Sequence, residues 1–359
     1  MKGVLLHGGH GTRLRPLTHT GPKQLIKIAG KPISQWAIED MKNSGIKDIA
    51  IVLGDLAPER VIEHYKDGKW LGINITYIYQ GYPYGLAHAV YCVKDYIRDE
   101  PFVVYLGDNL VFEGIAKFVE KFEESSADAY ILLVKVPDPQ RFGVAKFDEK
   151  GRLVGLIEKP KKPPSPYALA GIYFFRPPNI FKAVEQLRPS WRGELEITEA
   201  IQKLIDWGYR VDYDIITGWW KDTGTPEDIL EANRILLDGK TETKILGKVE
   251  ERAVIEGRVF INKGAIIKSE ATIRGPAYIG EGTVIGDDTY IGPYTSIGDG
   301  CYIEDVEIEN SVIMDNVEIK DIDIRITNSI IGSYTVISKN RIKPSGVQMI
   351  IGERTKLYL

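Results

Sequence analysis

Nine isoleucines, Ile255, Ile261, Ile267, Ile273, Ile279, Ile285, Ile291, Ile297 and Ile303, recur at six-residue spacing without a break. A period of six matches neither the helical repeat nor simple strand alternation. It fits a parallel β-helix in which each hexapeptide makes one side of a triangular coil and each Ile points inward to stack on its equivalents above and below. Burying one such side chain is worth up to ~1.5–3 kcal/mol. Four residues after each of the first eight comes a small or modest side chain: Val259, Ala265, Ala271, Ala277, Thr283, Thr289, Thr295 and Cys301. The phase slips after Ile303, since position 309 is Glu, and partly returns at Ile331 and Ile337.

The chain before about residue 240 is built differently. Short apolar runs at 49–53, 75–79, 102–106 and 130–136 predict strands. Ile33, Trp36, Ala37 and Met41 fall at helical spacing, with Gly45 placed to end that helix. Helices are also predicted over 86–97, 115–123, 195–207 and 226–238, a hairpin over 143–147 and 153–157, and a strand over 168–175. Thr225, Pro226 and Asp228 form the start signal of the last helix: an N-cap, an N1 proline and an N3 carboxylate. Alternating strands and helices imply βαβ crossovers and a mainly parallel sheet covered on both faces. Residues 239–251 are polar and charged and predict a linker.

Of the 359 residues, 46 are Lys or Arg and 50 are Asp or Glu, for a net charge of −4. That balance lacks the broad positive field of non-specific nucleic-acid binding, so no nucleic-acid partner is expected. No apolar run approaches the ~18–20 residues of a membrane span, and the apolar stretch at Val4, Leu5 and Leu6 is too short for a signal-peptide core; the expected address is cytoplasmic, with no membrane partner. Cys92 and Cys301 are the two cysteines, which excludes a disulfide framework and a cysteine-rich zinc site.

The first apolar strand, Val4 to Leu6, runs into His7-Gly8-Gly9-His10-Gly11-Thr12-Arg13-Leu14. Such a glycine-rich loop lets successive main-chain N–H groups approach phosphate oxygens, and a guanidinium matches phosphate bidentately. It is neither a Walker loop nor a dinucleotide fingerprint, because no Gly-Lys-Ser/Thr follows and Leu14 stands at the third-glycine position. Pro22-Lys23-Gln24 adds a second cation and an amide. Local sequence alone also fits plain turns: Asp108 beside Asn109, Asp222 in a loop, and Lys159 as a solvated lysine in a proline-rich segment.

Taken together, Gly8 to Leu14, Pro16-Leu17-Thr18 and Pro22-Lys23-Gln24-Leu25 resemble the signature of the sugar-1-phosphate nucleotidylyltransferases. The same order of motifs continues with Gln80-Gly81, Gly85-Leu86-Ala87-His88-Ala89, Leu106-Gly107-Asp108-Asn109, Phe142-Gly143-Val144 and Glu158-Lys159-Pro160. It ends with Ala170-Gly171, Arg192-Gly193-Glu194-Leu195-Glu196-Ile197-Thr198 and Trp220-Lys221-Asp222-Thr223-Gly224-Thr225. Within that family the chain is most similar to the long thymidylyltransferases of glucose 1-phosphate, which carry a β-helix tail. The resemblance implies a Rossmann-like α/β catalytic domain with a mainly parallel mixed sheet over 1–240, followed over 241–359 by a left-handed parallel β-helix serving structure or oligomerisation.

The reaction so implied joins dTTP or UTP to α-D-glucose 1-phosphate and releases pyrophosphate, in one Mg²⁺-dependent in-line displacement. By resemblance, Arg13 and Lys23 hold the triphosphate, Asp108 and Asp222 hold the metal, and Lys159 and Arg192 hold the sugar phosphate. Gln24 and Gln80 read the pyrimidine, with Leu6 and Gly85 packed near it and Gly8, Gly9, Gly11 and Thr12 along the phosphates. Glu158 takes the sugar hydroxyls in a pocket shaped by Phe142, Gly143, Leu169 and Gly171. His7, Phe142 and Ala170 depart from the usual Ala, Tyr and Thr, which bears on base and sugar preference rather than on the reaction type. A UTP-dependent enzyme for glucose or N-acetylamino-sugar 1-phosphate stays open as an alternative, as does a non-enzymatic scaffold. Acyl transfer on the β-helix is excluded, because it needs a histidine base and all five histidines lie at or before position 88. A stacked β-helix leaves coil faces and an end to cover, so a homo-oligomer through the tail is expected.

Overall fold

A computed structural model describes residues 1–339. Contacts divide the chain into two compact units that are not contiguous in sequence. The first comprises Met1–His10, Thr20–Gln24 and Ser34–Asp222; the second comprises Gly11–His19, Leu25–Ile33 and the chain from Thr223 onward.

The first unit is organised by a nine-stranded mixed sheet. One side of it is four parallel strands in the order Phe102–Leu106, Lys2–His7, Asp48–Gly54 and Asn74–Gly81, the last of them an edge strand. Val4, Leu5, Ile49, Ile51, Val103 and Val104 are fully buried there, as expected of strands covered on both faces. Beside Phe102–Leu106 the sense reverses: Tyr167–Phe175 is antiparallel to it and also to Ala129–Lys135 and Gly143–Phe147, and the predicted hairpin with Leu153–Glu158 closes that edge. Val211–Ile216 adds in parallel to Ala129–Lys135. Its Val-Asp-Tyr-Asp start masks a strand whose partner is distant in sequence.

The helix Ile33–Asn43 ends as its glycine predicts. Gly45 has φ +85°, its N–H donates to Lys42, and Ile46 N–H donates to Met41, which is a Schellman closure. The helix predicted over 86–97 is two helices, Leu86–Cys92 and Lys94–Ile97, parted at Val93, where the N–H turns to the Val90 carbonyl.

The second unit is a left-handed parallel β-helix preceded by the helix Pro226–Lys240. That helix has its predicted cap: Asp228 N–H donates to Thr225 Oγ1 at 3.3 Å and Thr225 N–H donates to Asp228 Oδ2 at 2.9 Å. Short strands stack in three parallel sheets, with Ile267, Ile285 and Ile303 forming one inward column and Ile261, Ile279 and Ile297 another. All nine repeat isoleucines except Ile255 are fully buried, as are the small residues that follow them in the repeat. The predicted linker is corrected: Lys244–Ile245 and Lys248–Val249 already pair with coil strands, so the β-helix begins inside it. The phase slip also resolves. Ile291 stacks on Ile308 and Ile297 on Ile313, so coils of eighteen residues shorten to seventeen and sixteen and then return to eighteen from Ile308 to Ile326.

Candidate active site

The four parallel strands of the first unit end along one edge, where open α/β sheets bind ligands. Leu6 pairs with Leu106 and Val52, Leu53 with Tyr79 and Gly54 with Gly81, so Gly8 and Gly107 leave the sheet beside the last pairing of Gly54, where a register shift sets Gln80 out of the ladder. Glycine is required by the closeness of these chains: a Cβ on Gly54 would lie 3.2 Å from Gly8 Cα, and one on Gly107 would lie 2.9 Å from the Leu6 carbonyl oxygen. Gly9 has φ +94° with open space around it. Leu6 is buried in the core.

Gln24 is 2 % exposed. Its Nε2 donates to the Gly8 carbonyl at 2.9 Å, while its Oε1 is buried without a partner. Gln80 lies beside Gly8, and its Nε2 donates to the Gly85 carbonyl at 3.0 Å. Gly85, at φ +109°, packs against the backbone of Leu195, which exchanges hydrogen bonds with Tyr84 and Ala87. The loop carrying Gly85 is thereby fastened to the Arg192–Thr198 string.

Beneath this edge lies a hydrogen-bonded group that no motif marked. Ser34 Oγ donates to the Gln24 carbonyl at 3.0 Å and has one proton to give, so it accepts from Tyr65 at 2.6 Å and from His7 Nε2 at 3.0 Å. His7 is thus a neutral Nε2–H imidazole, with burial holding its pKa down to about 3. It is packed under the loop rather than presented to a ligand.

Asp108 follows the strand Phe102–Leu106 and is ion-paired with Lys23. Burial pushes its carboxyl up, but the Lys23 ammonium and the Asn109 amide outweigh that and hold it below the usual carboxylate range. Asn109–Val111 pairs antiparallel with Trp220–Asp222, with Asp222 opposite Asn109. Asp222 thus pairs with the residue that follows Asp108, which lies in the turn just before that strand. Trp220 closes the adjoining wall: its Nε1 donates to the Ala170 carbonyl at 2.9 Å and its ring meets Phe142 edge-on at 5.9 Å. Gly171, at φ +74°, lies in the register shift of its strand, where a Cβ would lie 2.9 Å from Leu106 Cδ1 and 3.0 Å from Asn109.

A second cluster gathers around Glu158. Its Oε2 accepts from Thr198 Oγ1 at 2.6 Å, Arg192 Nη1 stands 3.7 Å away and Lys159 Nζ 3.8 Å away. Burial pushes the Glu158 carboxyl up, with Glu196 adding to that and Thr198, Lys159 and Arg192 opposing it. Gly143 leaves the necessary room, since a Cβ there would lie 2.6 Å from Thr198 Oγ1 and 2.8 Å from Leu169. Lys159 N–H donates to the Phe142 carbonyl, and Arg192 is held by Glu194 at 2.8 Å and Glu196 at 3.2 Å. Glu196 and Thr198 carried no assigned role, although both lie in the string that the sequence singled out.

Gly11, Thr12 and Arg13 belong to the second unit. Gly11 has φ +56° and its carbonyl accepts from both Thr18 Oγ1 and Leu14 N–H. The Arg13 guanidinium lies against Gly224, where a Cβ would come within 2.7 Å of Nη2. Among the described residues no group of three or more His, Cys, Asp or Glu side chains could hold a metal ion. No helix among them is long and apolar enough to cross a membrane.

The family model for nucleotidyl transferases matches residues 2–239, the segment that contains this edge and both clusters. The chain belongs to the nucleotidyl transferase family. A second match, over 273–357, is to the domain described as the GMPPB C-terminal domain. This nucleotidyltransferase is 49 % identical to the low-salt glycan biosynthesis nucleotidyltransferase Agl11 of Haloferax volcanii, across 100 % of both chains. It is 45 % identical to a glucose-1-phosphate thymidylyltransferase of Streptomyces antibioticus, across 100 % of this chain and 99 % of the other. A solved structure described as a Bacillus anthracis glucose-1-phosphate thymidylyltransferase in complex with sucrose superimposes with a TM-score of 0.62 at 36 % identity, covering 66 % of this chain and 94 % of that one.

Proposed function

We propose that this nucleotidyltransferase transfers the thymidylyl group of dTTP to α-D-glucose 1-phosphate, giving dTDP-glucose and pyrophosphate. The observation that carries the reading is the strand pair that sets Asp222 beside Asn109, next to an Asp108 held ionised by Lys23. The full-length similarity to the Streptomyces antibioticus enzyme supports the choice of nucleotide and sugar. One sugar-phosphate oxygen forms a bond to the α-phosphorus as the bond from that phosphorus to the β-phosphate oxygen breaks. A phosphate monoester is already an anionic nucleophile, so no protein base is needed. The chain's task is to bring two anions into line and offset their charge.

Lys23 and Arg13 neutralise the triphosphate. Gln24 and Gln80 read the pyrimidine edge, since an amide can both donate and accept. Lys159 and Arg192 take the sugar phosphate, and Glu158 accepts from sugar hydroxyls. Two carboxylates suit a magnesium ion that completes its shell with phosphate oxygens and water. Asp108 and Asp222 would hold it, and when bound it offsets charge developing on the α-phosphate.

The test is pyrophosphate release across four nucleoside triphosphates and several sugar 1-phosphates, with and without EDTA. The reading expects dTTP with glucose 1-phosphate to be the fastest pair and EDTA to abolish it. Faster turnover of UTP with glucose or an N-acetylamino sugar 1-phosphate replaces it with the uridylyl alternative, and no turnover on any pair makes the chain a scaffold. In the same assay Lys159→Ala is expected to raise the sugar-phosphate KM about tenfold, the scale of one charge-assisted contact, with the dTTP KM nearly unchanged. An unchanged sugar-phosphate KM removes Lys159 from that role. The reading includes a homo-oligomer assembled through the β-helix, against which a single-chain mass in light scattering would count.

A further inference from the structure

The unit that holds the β-helix also holds chain that is not β-helix, including Leu25–Ile33. This segment forms a small antiparallel hairpin, with Lys27 opposite Pro32 and Ile28 opposite Lys31. Three separate contacts seat it. Lys27 Nζ lies 2.6 Å from Asp299 Oδ2 and 2.9 Å from Asp315. Both carboxylates are set by the coils themselves: Asp299 Oδ1 accepts from Glu281 N–H at 2.7 Å and Asp315 Oδ1 from Asp299 N–H at 2.9 Å. Asn233, 1 % exposed, accepts from Ala29 N–H at 2.9 Å and Ser296 Oγ at 2.6 Å, and donates to the Tyr294 carbonyl at 2.9 Å. The Tyr278 ring covers Gly30 so closely that a Cβ there would lie 2.3 Å from it, and Gly30 also needs φ +84°.

Burial opposes the charge on Lys27, but Asp315 and Asp299 outweigh it and raise the pKa of the ammonium above its ordinary value. The pair therefore stays ionised through neutral pH. The hairpin follows directly on Lys23–Leu25, a single 3₁₀ turn that carries Lys23 and Gln24. One residue, Ile26, separates Lys27 from that turn.

We propose that Lys27 is a positioning residue for nucleotide binding, and that Asp299 and Asp315 make the β-helix the seat that fixes the chain just beyond Lys23 and Gln24. This rests on the reading above, in which Lys23 and Gln24 meet the nucleotide. The tail then has a part in catalysis besides any part in assembly. A lysine that only stabilises the fold would lower the unfolding midpoint and leave the balance of substrate constants alone.

The test compares Lys27→Met, Lys27→Arg, the double variant Asp299→Asn/Asp315→Asn, and the three substitutions Lys27→Met, Asp299→Asn and Asp315→Asn combined, all in the full chain. Lys27→Met is expected to raise the nucleotide KM about tenfold, as a modest misplacement of a binding group does, with the sugar-phosphate KM nearly unchanged. Lys27→Arg should restore most of the loss. Combining Lys27→Met with the two asparagines should add little, because the residues act as one contact. Hydrogen exchange without substrate should show faster exchange over 25–33 in Lys27→Met, with Val4–Leu6 unchanged. An unchanged nucleotide KM, an equal rise in both constants, or full additivity overturns the proposal. Absence of turnover with every nucleotide sinks the assigned reaction instead. The exchange experiment then decides the clamp alone: unaltered exchange over 25–33 overturns it, and faster exchange upholds it.

Discussion

Asp222→Asn is expected to slow pyrophosphate release by about a thousandfold, the scale of removing one electrostatic stabiliser from a phosphoryl-transfer site. Asparagine keeps the shape and an acceptor oxygen but loses the charge, so the deficit reads the charge itself. Asp108 is bound to Lys23, and neutralising it would also strand a buried ammonium, mixing a folding cost into the kinetics. Asp222 lies opposite Asn109 at the end of a three-residue strand, where an isosteric change leaves the backbone pairing intact. Nucleotide affinity measured without metal should change by less than about threefold, because the effect belongs to the transition state. Magnesium titration of the variant is the decisive measurement. A rate within tenfold of the parent at saturating magnesium would remove Asp222 from the metal site.

The second large effect is on stability. Ile285→Ala is expected to destabilise the β-helix by about 2–5 kcal/mol, and Ile285→Val by about 1 kcal/mol. Ile285 is fully buried between Ile267 and Ile303, and a parallel stack has no freedom to slide a neighbour into the gap. In a repeat array each coil is stabilised by its neighbours, so one cavity weakens both interfaces at once. Every tryptophan lies at or before position 220, so tryptophan fluorescence follows the first unit and circular dichroism in urea follows both. The alanine variant should shift the transition seen by circular dichroism that tryptophan does not report. A shift smaller than that of the valine variant would contradict the inward stacking of Ile285.

The parts of the fold that the sequence disclosed are those set by local pattern. The Ile repeat specified three-sided coils, Gly45 ended its helix, and Thr225 with Asp228 began another. Parts that depend on distant partners stayed hidden. Val211–Ile216 becomes a strand through Ala129–Lys135, and the first coil strands pair inside a stretch whose charges predicted a linker. At the candidate site, Lys23, Asp108 and Glu158 were singled out by the order of motifs they belong to, since by type alone a residue such as Asp108 also fits a plain turn. Ser34 and Tyr65 were not, since a serine in a first helical turn and a tyrosine near a helix end are ordinary until His7 and Gln24 are seen to meet them. The break at Val93 was invisible for a similar reason: no glycine or proline marks it.

The restored coil length beyond Ile308 constrains how this tail can change over time. A hexapeptide gained or lost turns every later side by one face, sending each stacked column onto the wrong neighbour, whereas eighteen residues add or remove a whole storey. Length differences among tails of this kind should therefore come in steps of a full turn. A new storey placed between the helix at Pro226–Lys240 and Asp299 would carry that carboxylate out of Lys27's reach, so growth is free only on the far side of the anchor.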